Sequence, residues 1–241
     1  MLLTVGLVLA LAGCTATPVP TPTDSVEGTI TVFAAASLTD SFADVAAAFT
    51  KEHPNVKVVF SFGGSSALAE QIAQGAPADV FAAASPAAMA TAGASGVNFV
   101  SNTLEIAVPK GNPGAVKSLA DFANPDLDIA LCAVEVPCGA AAAKVFDATG
   151  ITASVDTYEQ DVKAVLTKIS LGEVDAGLVY KTDVLAAGND VKGIEFPESS
   201  EAVNEYPIPT ISDSDATRAF VAFVLSKRGQ SILAAAGFGA P

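Results

Sequence analysis

Histidine, arginine and tryptophan are scarce: the 241 residues include one histidine, two arginines and no tryptophan. Imidazole metal sites and most acid–base enzymes depend on histidine, so this scarcity argues against both classes. Lysine and arginine total 12 against 26 aspartates and glutamates, which gives a net charge of −14. Such a chain cannot assemble the basic surface that binds nucleic-acid phosphates, and we expect no nucleic-acid partner.

Charged residues of both signs make up only 16% of the chain, whereas hydrophobic residues reach 51%. This balance excludes a chain that is disordered throughout. The length suits one large domain or two small α/β lobes, each with its own core. Aromatic residues, at 7%, are too few for an adhesin or scaffold that exposes large aromatic patches.

The N-terminus has the features of an export signal. Residues 1–12 are an uncharged apolar run, shorter than the roughly 20 residues of a membrane-spanning helix, and they predict a signal peptide over 1–13. The sequence Leu11-Ala12-Gly13-Cys14 resembles the lipobox of bacterial lipoproteins, which implies lipidation of Cys14 and an extracytoplasmic position at the cell membrane. The Thr/Pro-rich stretch that follows predicts a flexible tether within 14–27. The alternative is a buried apolar segment with a chance cysteine.

Two further cysteines, Cys132 and Cys138, lie six positions apart with Pro137 between them. An exported compartment permits disulfides. Closing so short a loop stabilises the fold by roughly 2 kcal/mol, before strain. We predict a disulfide, and two free buried thiols are the alternative.

Strand and helix patterns alternate along the rest of the chain, which predicts parallel sheets with crossover helices. Strands are predicted over 29–34, 56–62, 78–84, 104–109, 127–133 and 176–180. Helices are predicted after Ser37, Ser65, Pro86, Ser118, Gly139 and Asp161, and over 215–225 and 229–236. The order predicts an α/β fold of two lobes, 28–108 plus 208–241 and 109–207, joined by extended crossovers near Val108 and Tyr206.

Polar residues stand where strands lead into helices, at Ser37, Ser65, Cys138 and Asp161. Ligands of α/β sheets bind at the carboxyl ends of strands. Helix N-termini there carry unpaired N–H groups and partial positive charge, so several of them can bind an anion without a cationic side chain. Taken singly, Ser37 also suits a helix cap, and Tyr180 suits the edge of a core.

Several of these turns carry a family resemblance. The longer blocks are 30–40 (ITVFAAASLTD), 61–68 (SFGGSSAL) and 71–81 (QIAQGAPADVF), and the shorter ones are 136–139, 161–162, 177–180, 196–198 and 205–208. They resemble the bacterial periplasmic molybdate-binding proteins, the substrate-binding lipoproteins of molybdate ABC transporters. The resemblance implies a two-lobed periplasmic-binding-protein fold of type II. Each lobe is then a mostly parallel sheet flanked by helices, and two crossover strands form the hinge.

The resemblance also implies a function. The protein would be a monomeric receptor without enzymatic activity or cofactor, which binds molybdate or tungstate between its lobes. It would deliver the anion to a membrane ABC permease that works with an ATPase subunit. Molybdenum would be held only within the oxyanion, and no protein atom would ligate the metal directly.

The implied oxyanion-binding residues are Ser37, Ser65, Cys138, Val162 and Tyr180. The serines would use hydroxyl and backbone N–H groups, Cys138 and Val162 their backbone N–H groups, and Tyr180 its phenol. The family usually has a small residue at the position of Cys138. A disulfide there would leave the N–H available and stiffen the loop, or shift the loop and change the affinity.

Other function classes fit less well. A serine–histidine enzyme would use His53, but His53-Pro54 falls where a surface helix ends, and no G-x-S-x-G elbow is present. Cys138 as a catalytic thiol would have to be reduced. A receptor of the same fold for sulfate or phosphate remains the main alternative. Phosphate calls for an acceptor for its proton, which Asp161 offers, although a carboxylate at a helix N-terminus also serves the helix dipole.

Overall fold

The computed structural model describes residues 26–241. The predicted signal peptide (1–13), Cys14 and all but the last two residues of the tether (14–27) lie outside these residues. The described strands are β1 (Gly28–Ala35), β2 (Val56–Gly63), β3 (Val80–Ala82), β4 (Val97–Asn102), β5 (Leu104–Pro109), β6 (Ile129–Cys132), β7 (Thr157–Glu159), β8 (Ala176–Tyr180), β9 (Val191–Ile194) and β10 (Asn204–Ile208).

Eight α-helices lie among these strands in the described residues. They are α1 (Thr39–Glu52), α2 (Ser65–Ala73), α3 (Pro86–Thr91), α4 (Pro137–Thr149), α5 (Val162–Leu171), α6 (Lys181–Ala187), α7 (Asp215–Leu225) and α8 (Lys227–Ala235). Short 3-10 helices span Ala36–Leu38, Leu119–Ala123 and Pro197–Glu201.

The first lobe contains a parallel sheet in the order β2-β1-β3. From Ile30 onward, the central strand β1 is buried on both faces except at Thr31, as expected of a strand covered by helices on both sides. Beside this sheet, β4 and β10 form an antiparallel pair at the connection to the second lobe.

The second lobe contains a five-stranded sheet in the order β7-β6-β8-β5-β9. β6 runs parallel to β7 and β8, and β5 runs antiparallel to both β8 and β9. β5 was expected in the first lobe, up to residue 108, yet its hydrogen bonds are made in this second sheet. The first crossover therefore comes at Thr103, between β4 and β5, rather than near Val108.

Each sheet packs into its own hydrophobic core. Phe42, Val45 and Phe49 recur at helical spacing on α1 and pack against Phe220 of α7 in the first lobe. In the second lobe, helix α5 packs on the five-stranded sheet. Because the main cores are separate, we expect the lobes to move as units about the β4–β5 and β10 connections.

Gly150 and Gly172 directly follow helices α4 and α5 and form their C-caps. These glycines have φ values of +66° and +70°, a left-handed conformation that side chains other than glycine disfavour. Among residues 26–241, no helix has the length and apolar character needed to cross a membrane. The same residues contain no group of three or more His, Cys, Asp or Glu side chains placed to hold a metal ion.

Candidate functional site

The predicted site residues lie at strand ends that face the gap between the lobes. Ser37 follows β1 within a 3-10 turn and is 6% exposed. Ser37 does not cap α1, because the 3-10 turn makes Leu38 the residue that precedes this helix. Instead, the Ser37 Oγ lies 2.9 Å from the hydroxyl oxygen of Tyr206, at hydrogen-bond distance.

Ser65 is the first residue of α2, directly after Gly64, and is 1% exposed. Its Oγ accepts a hydrogen bond from the Ala84 N–H at 2.9 Å, which fixes the start of α2 to the segment after β3. A hydroxyl that accepts one hydrogen bond still has its own hydrogen to donate. Ser65 can therefore hold its position and bind an acceptor at the same time.

Cys138 is the second residue of α4 and forms a disulfide with Cys132, with a Cα–Cα distance of 5.7 Å. Gly139 packs so closely that a Cβ there would overlap the Ala133 carbonyl oxygen. The start of α4 is thus held against the end of β6. The Cys138 sulfur is engaged in the disulfide and is not a free thiol, while its backbone N–H lies in the first turn, where no carbonyl one turn back can bind it.

Val162 is the first residue of α5 and is 3% exposed. The preceding residue, Asp161, caps this helix: its Oδ1 accepts the Ala164 N–H at 2.9 Å. The N–H groups of the first turn of α5 that precede Ala164 have no carbonyl partner within the helix. The carboxylate of Asp161 therefore serves the helix N-terminus.

Tyr180 ends β8 and is 1% exposed. Its hydroxyl faces Tyr206 and Asn204, but no contact that it makes within residues 26–241 has the full geometry of a hydrogen bond. Burial raises the pKa of Tyr180 well above its usual value, and the neighbouring Tyr206 and Asp183 raise it further. The phenol is therefore protonated at all physiological pH values and carries an unused O–H donor.

All five predicted residues line one cavity between the lobes. The lining is Ala36, Ser37, Gly63, Gly64, Ser65, Ala84, Val136, Pro137, Cys138, Asp161, Val162 and Tyr180. It contains no lysine, arginine or histidine. The cavity is small: the volume open to the centre of a water molecule is about 20 Å³. This is slightly more than one bound water requires. It therefore suits a compact ligand of a few atoms rather than an amino acid or a sugar.

The polar groups of this cavity are mainly donors. The first turns of α2, α4 and α5 point their partial positive charge at it, and three hydroxyl groups add O–H donors. The one carboxylate in the lining, that of Asp161, is taken up by its own helix. Such a site binds a small anion by neutral hydrogen bonds and helix dipoles.

Sequence reasoning did not single out Tyr206 as part of the site. It is fully buried, and its hydroxyl is the partner of Ser37. A buried tyrosine hydroxyl needs a polar partner, but nothing in the sequence connects positions 169 residues apart. His53, the candidate of the enzyme alternative, lies at the end of α1 against Phe49, about 20 Å along the helix from the cavity.

Residues 30–239 match the model of a family described as bacterial extracellular solute-binding protein. The chain belongs to this family. Over 247 aligned residues it is 40% identical to the molybdate-binding protein ModA of Mycobacterium tuberculosis strain H37Rv, covering 98% of this chain and 95% of the relative. It is 31% identical to ModA of Escherichia coli K12 over 88% of this chain and 89% of that protein. The resemblance inferred from the sequence motifs is confirmed.

The fold comparison agrees with this assignment. The Azotobacter vinelandii periplasmic molybdate-binding protein superposes with a TM-score of 0.74, at 22% identity, over 88% of this chain and 99% of that one. This likeness confirms the predicted two-lobed fold of type II. As a member of an extracellular solute-binding family, the chain acts outside the cytoplasm as a solute-binding protein.

Proposed function

We propose that this protein binds molybdate, and tungstate in the same way, in the cavity between its lobes. The observation that carries the proposal is the convergence of Ser37, Ser65, Cys138, Val162 and Tyr180 on one small cavity of hydrogen-bond donors. The relatives that are 40% and 31% identical over most of the chain are molybdate-binding proteins. The ligand and these residue roles are carried over from that similarity and from the donor character of the cavity.

An oxyanion buried without partners would be strongly unfavourable, because a desolvated charge costs many kcal/mol. The two serines each supply an O–H and an N–H, Cys138 and Val162 supply N–H groups, and Tyr180 supplies an O–H. Each such donor contributes roughly 1.5–3 kcal/mol when its acceptor is charged. Neutral donors also explain how a chain of net charge −14 can hold an anion, since the overall field opposes its approach.

The donor set also argues for molybdate over phosphate and sulfate. Phosphate keeps a proton near neutral pH and needs an acceptor. The only carboxylate in the lining is that of Asp161, and its Oδ1 already accepts the Ala164 N–H, so a single carboxylate oxygen is left for that proton. Sulfate carries no proton but is smaller, and we propose that the donors are spaced for the larger anion and cannot all reach sulfate. Size and donor placement therefore determine the selectivity.

The proposed role is transport rather than catalysis. The lobes close over the anion because closure gains contacts with it, which is a shift between open and closed populations. The closed receptor, acting as a monomer, then docks on a membrane ABC permease that is driven by a separate ATPase subunit. No cofactor takes part, and molybdenum enters only as the oxyanion.

Calorimetric titration of the full chain in mild detergent with four anions tests this function. Molybdate and tungstate are expected to bind tightly and one-to-one, because the cavity is lined by donors and the similar proteins are molybdate-binding proteins. Sulfate and phosphate are expected to give no signal at the same concentrations. Displacement of molybdate by equal sulfate, or a preference for phosphate, would contradict the proposal and redirect attention to Asp161.

We also propose that Cys14 carries a lipid that anchors the protein at the outer face of the cell membrane. The support is the sequence alone: an apolar run, Leu11-Ala12-Gly13-Cys14 and a Thr/Pro-rich tether. Lipid labelling in a bacterial host is expected to mark the wild type. The Cys14→Ser variant is expected to lose the label and leave the membrane fraction. A membrane-bound, unlabelled wild type would disprove lipidation.

A further inference from the structure

A lysine that follows a proposed ligand residue joins the two lobes. Lys163 comes directly after Val162 on α5, in the second lobe. Its Nζ lies 2.8 Å from Asp40 Oδ2 on α1, in the first lobe, and 3.3 Å from Asp183 Oδ1 on α6. We propose that Lys163 is a positioning residue, which favours the closed arrangement of the lobes through its ion pair with Asp40. This inference rests on the proposed function, because anion affinity is one of its readouts.

The surroundings of Lys163 keep its ammonium group charged. Burial lowers the pKa of Lys163, but Asp183 and Asp40 together outweigh that effect and leave the pKa above its ordinary value. The Asp183 side chain is fully buried, whereas the Asp40 side chain is 62% exposed. The Lys163–Asp183 ion pair is therefore part of the second lobe's interior. The Lys163–Asp40 ion pair is the one that breaks when the lobes separate.

The bridge reaches both sides of the cavity. Asp183 Oδ2 accepts the Tyr180 N–H at 3.1 Å, so the partner of Lys163 also fixes the strand end that carries the unused phenol. Asp40 lies three residues after Ser37, at the start of α1. One ammonium group thus connects the elements that carry Ser37, Val162 and Tyr180, without lining the cavity itself.

A second contact crosses between the lobes, but it is neutral. The Ser66 Oγ donates to the Glu135 carbonyl oxygen at 2.6 Å. Salt screens the Lys163–Asp40 pair and leaves a neutral hydrogen bond largely unaffected. Measuring molybdate affinity at low and high ionic strength therefore distinguishes the contribution of the ion pair from that of neutral contacts between the lobes.

Asp40→Asn removes the ion pair between the lobes and leaves the Lys163–Asp183 ion pair in place. For the full chain in mild detergent, we expect molybdate affinity at low salt to fall about three- to fivefold, as a partly exposed ion pair warrants. The difference from wild type should disappear at high salt. The unfolding midpoint without anion should fall only slightly, because Asp40 also lies in the first turn of α1 and stabilises that helix N-terminus. Asp40→Glu should restore most of the affinity.

Two matched controls separate the bridge from other effects. Asp44→Asn makes the same charge change one turn further along α1, and it lessens the repulsion of the anion, so its affinity should equal or slightly exceed the wild type. Lys168→Met removes a lysine of α5 whose partner, Glu159 at 3.2 Å, lies in the same lobe. It should bind molybdate like the wild type.

Hydrogen exchange without any anion tests the bridge independently of the ligand. In Asp40→Asn, amides at the starts of α1 and α5 should exchange faster than in the wild type and in Asp44→Asn. Unchanged exchange together with unchanged low-salt affinity would overturn the inference, as would an affinity loss that persists at high salt. If the wild type fails to bind molybdate but the exchange difference appears, the proposed function fails and the bridge stands.

Discussion

Replacing Tyr180 by phenylalanine is expected to weaken molybdate binding about 5- to 150-fold without destabilising the unliganded protein. The lost O–H donor faces a charged acceptor, which corresponds to roughly 1–3 kcal/mol. In the described structure this buried hydroxyl faces Tyr206 and Asn204 without a hydrogen bond of full geometry to either of them. The cost of burying this hydroxyl is therefore not compensated until an anion binds. Removing the hydroxyl should leave the free energy of unfolding of the anion-free protein unchanged or raise it.

The Ser37→Ala variant extends the same prediction to the first lobe. It removes an O–H donor and leaves the Tyr206 hydroxyl without the partner it has at 2.9 Å, so its affinity should fall by a similar factor. Ser41→Ala is the matched control, because this buried serine on α1 donates to the Leu38 carbonyl oxygen and does not line the cavity. Calorimetry and urea unfolding measure both effects. Wild-type affinity in both Tyr180→Phe and Ser37→Ala would place the site elsewhere.

Local patterns predicted most of the fold that positions the site. Strand and helix periodicity located β1, β2, α1 and α5 to within a few residues. The strand–helix turns then brought all five candidate residues to one cavity, although their binding roles stay predictions. Position-by-position similarity selected these five residues, because Ser37 alone also suits a helix cap and Tyr180 alone also suits the edge of a core.

Elements with weak local patterns were missed. β7 has three residues, two of them polar, and its place in the sheet comes from pairing with β6. α6 begins directly after β8 with no turn residue, and Asp183 accepts the Tyr180 N–H at its start. β4 and β9 were also missed. Such segments are fixed by their neighbours in the fold rather than by their own periodicity.

Contacts between the lobes were beyond the reach of sequence reasoning. Lys163 and Asp40 lie 123 positions apart, and Ser66 and Glu135 lie 69 apart. Each of these residues is an ordinary polar surface residue in its own segment. Their meeting depends on how two independently folded cores approach each other, which no local pattern encodes.

Gly64 lies directly against the backbone of the second lobe, and Gly64→Ala is expected to weaken molybdate binding about 5- to 150-fold. The backbone of Gly64, at φ −60° and ψ 128°, is open to any residue, so alanine should not strain the first lobe. An added Cβ would, however, overlap the Gln160 carbonyl oxygen of the second lobe. Full closure would then be overpacked by roughly 1–3 kcal/mol, or the lobes would stay further apart than in the wild type.

Because the overlap exists only when the lobes meet, Gly64→Ala separates closure from folding. The unliganded variant should unfold at the wild-type urea concentration, while calorimetry shows the weaker binding. Gly63→Ala is the neighbouring comparison: its Cβ would meet only the Leu68 side chain, at an ordinary 3.7 Å, so its loss should be much smaller. Equal losses at both positions would mean that alanine acts through the cavity lining. Unchanged binding by Gly64→Ala would show that the anion is held without this close approach of the lobes.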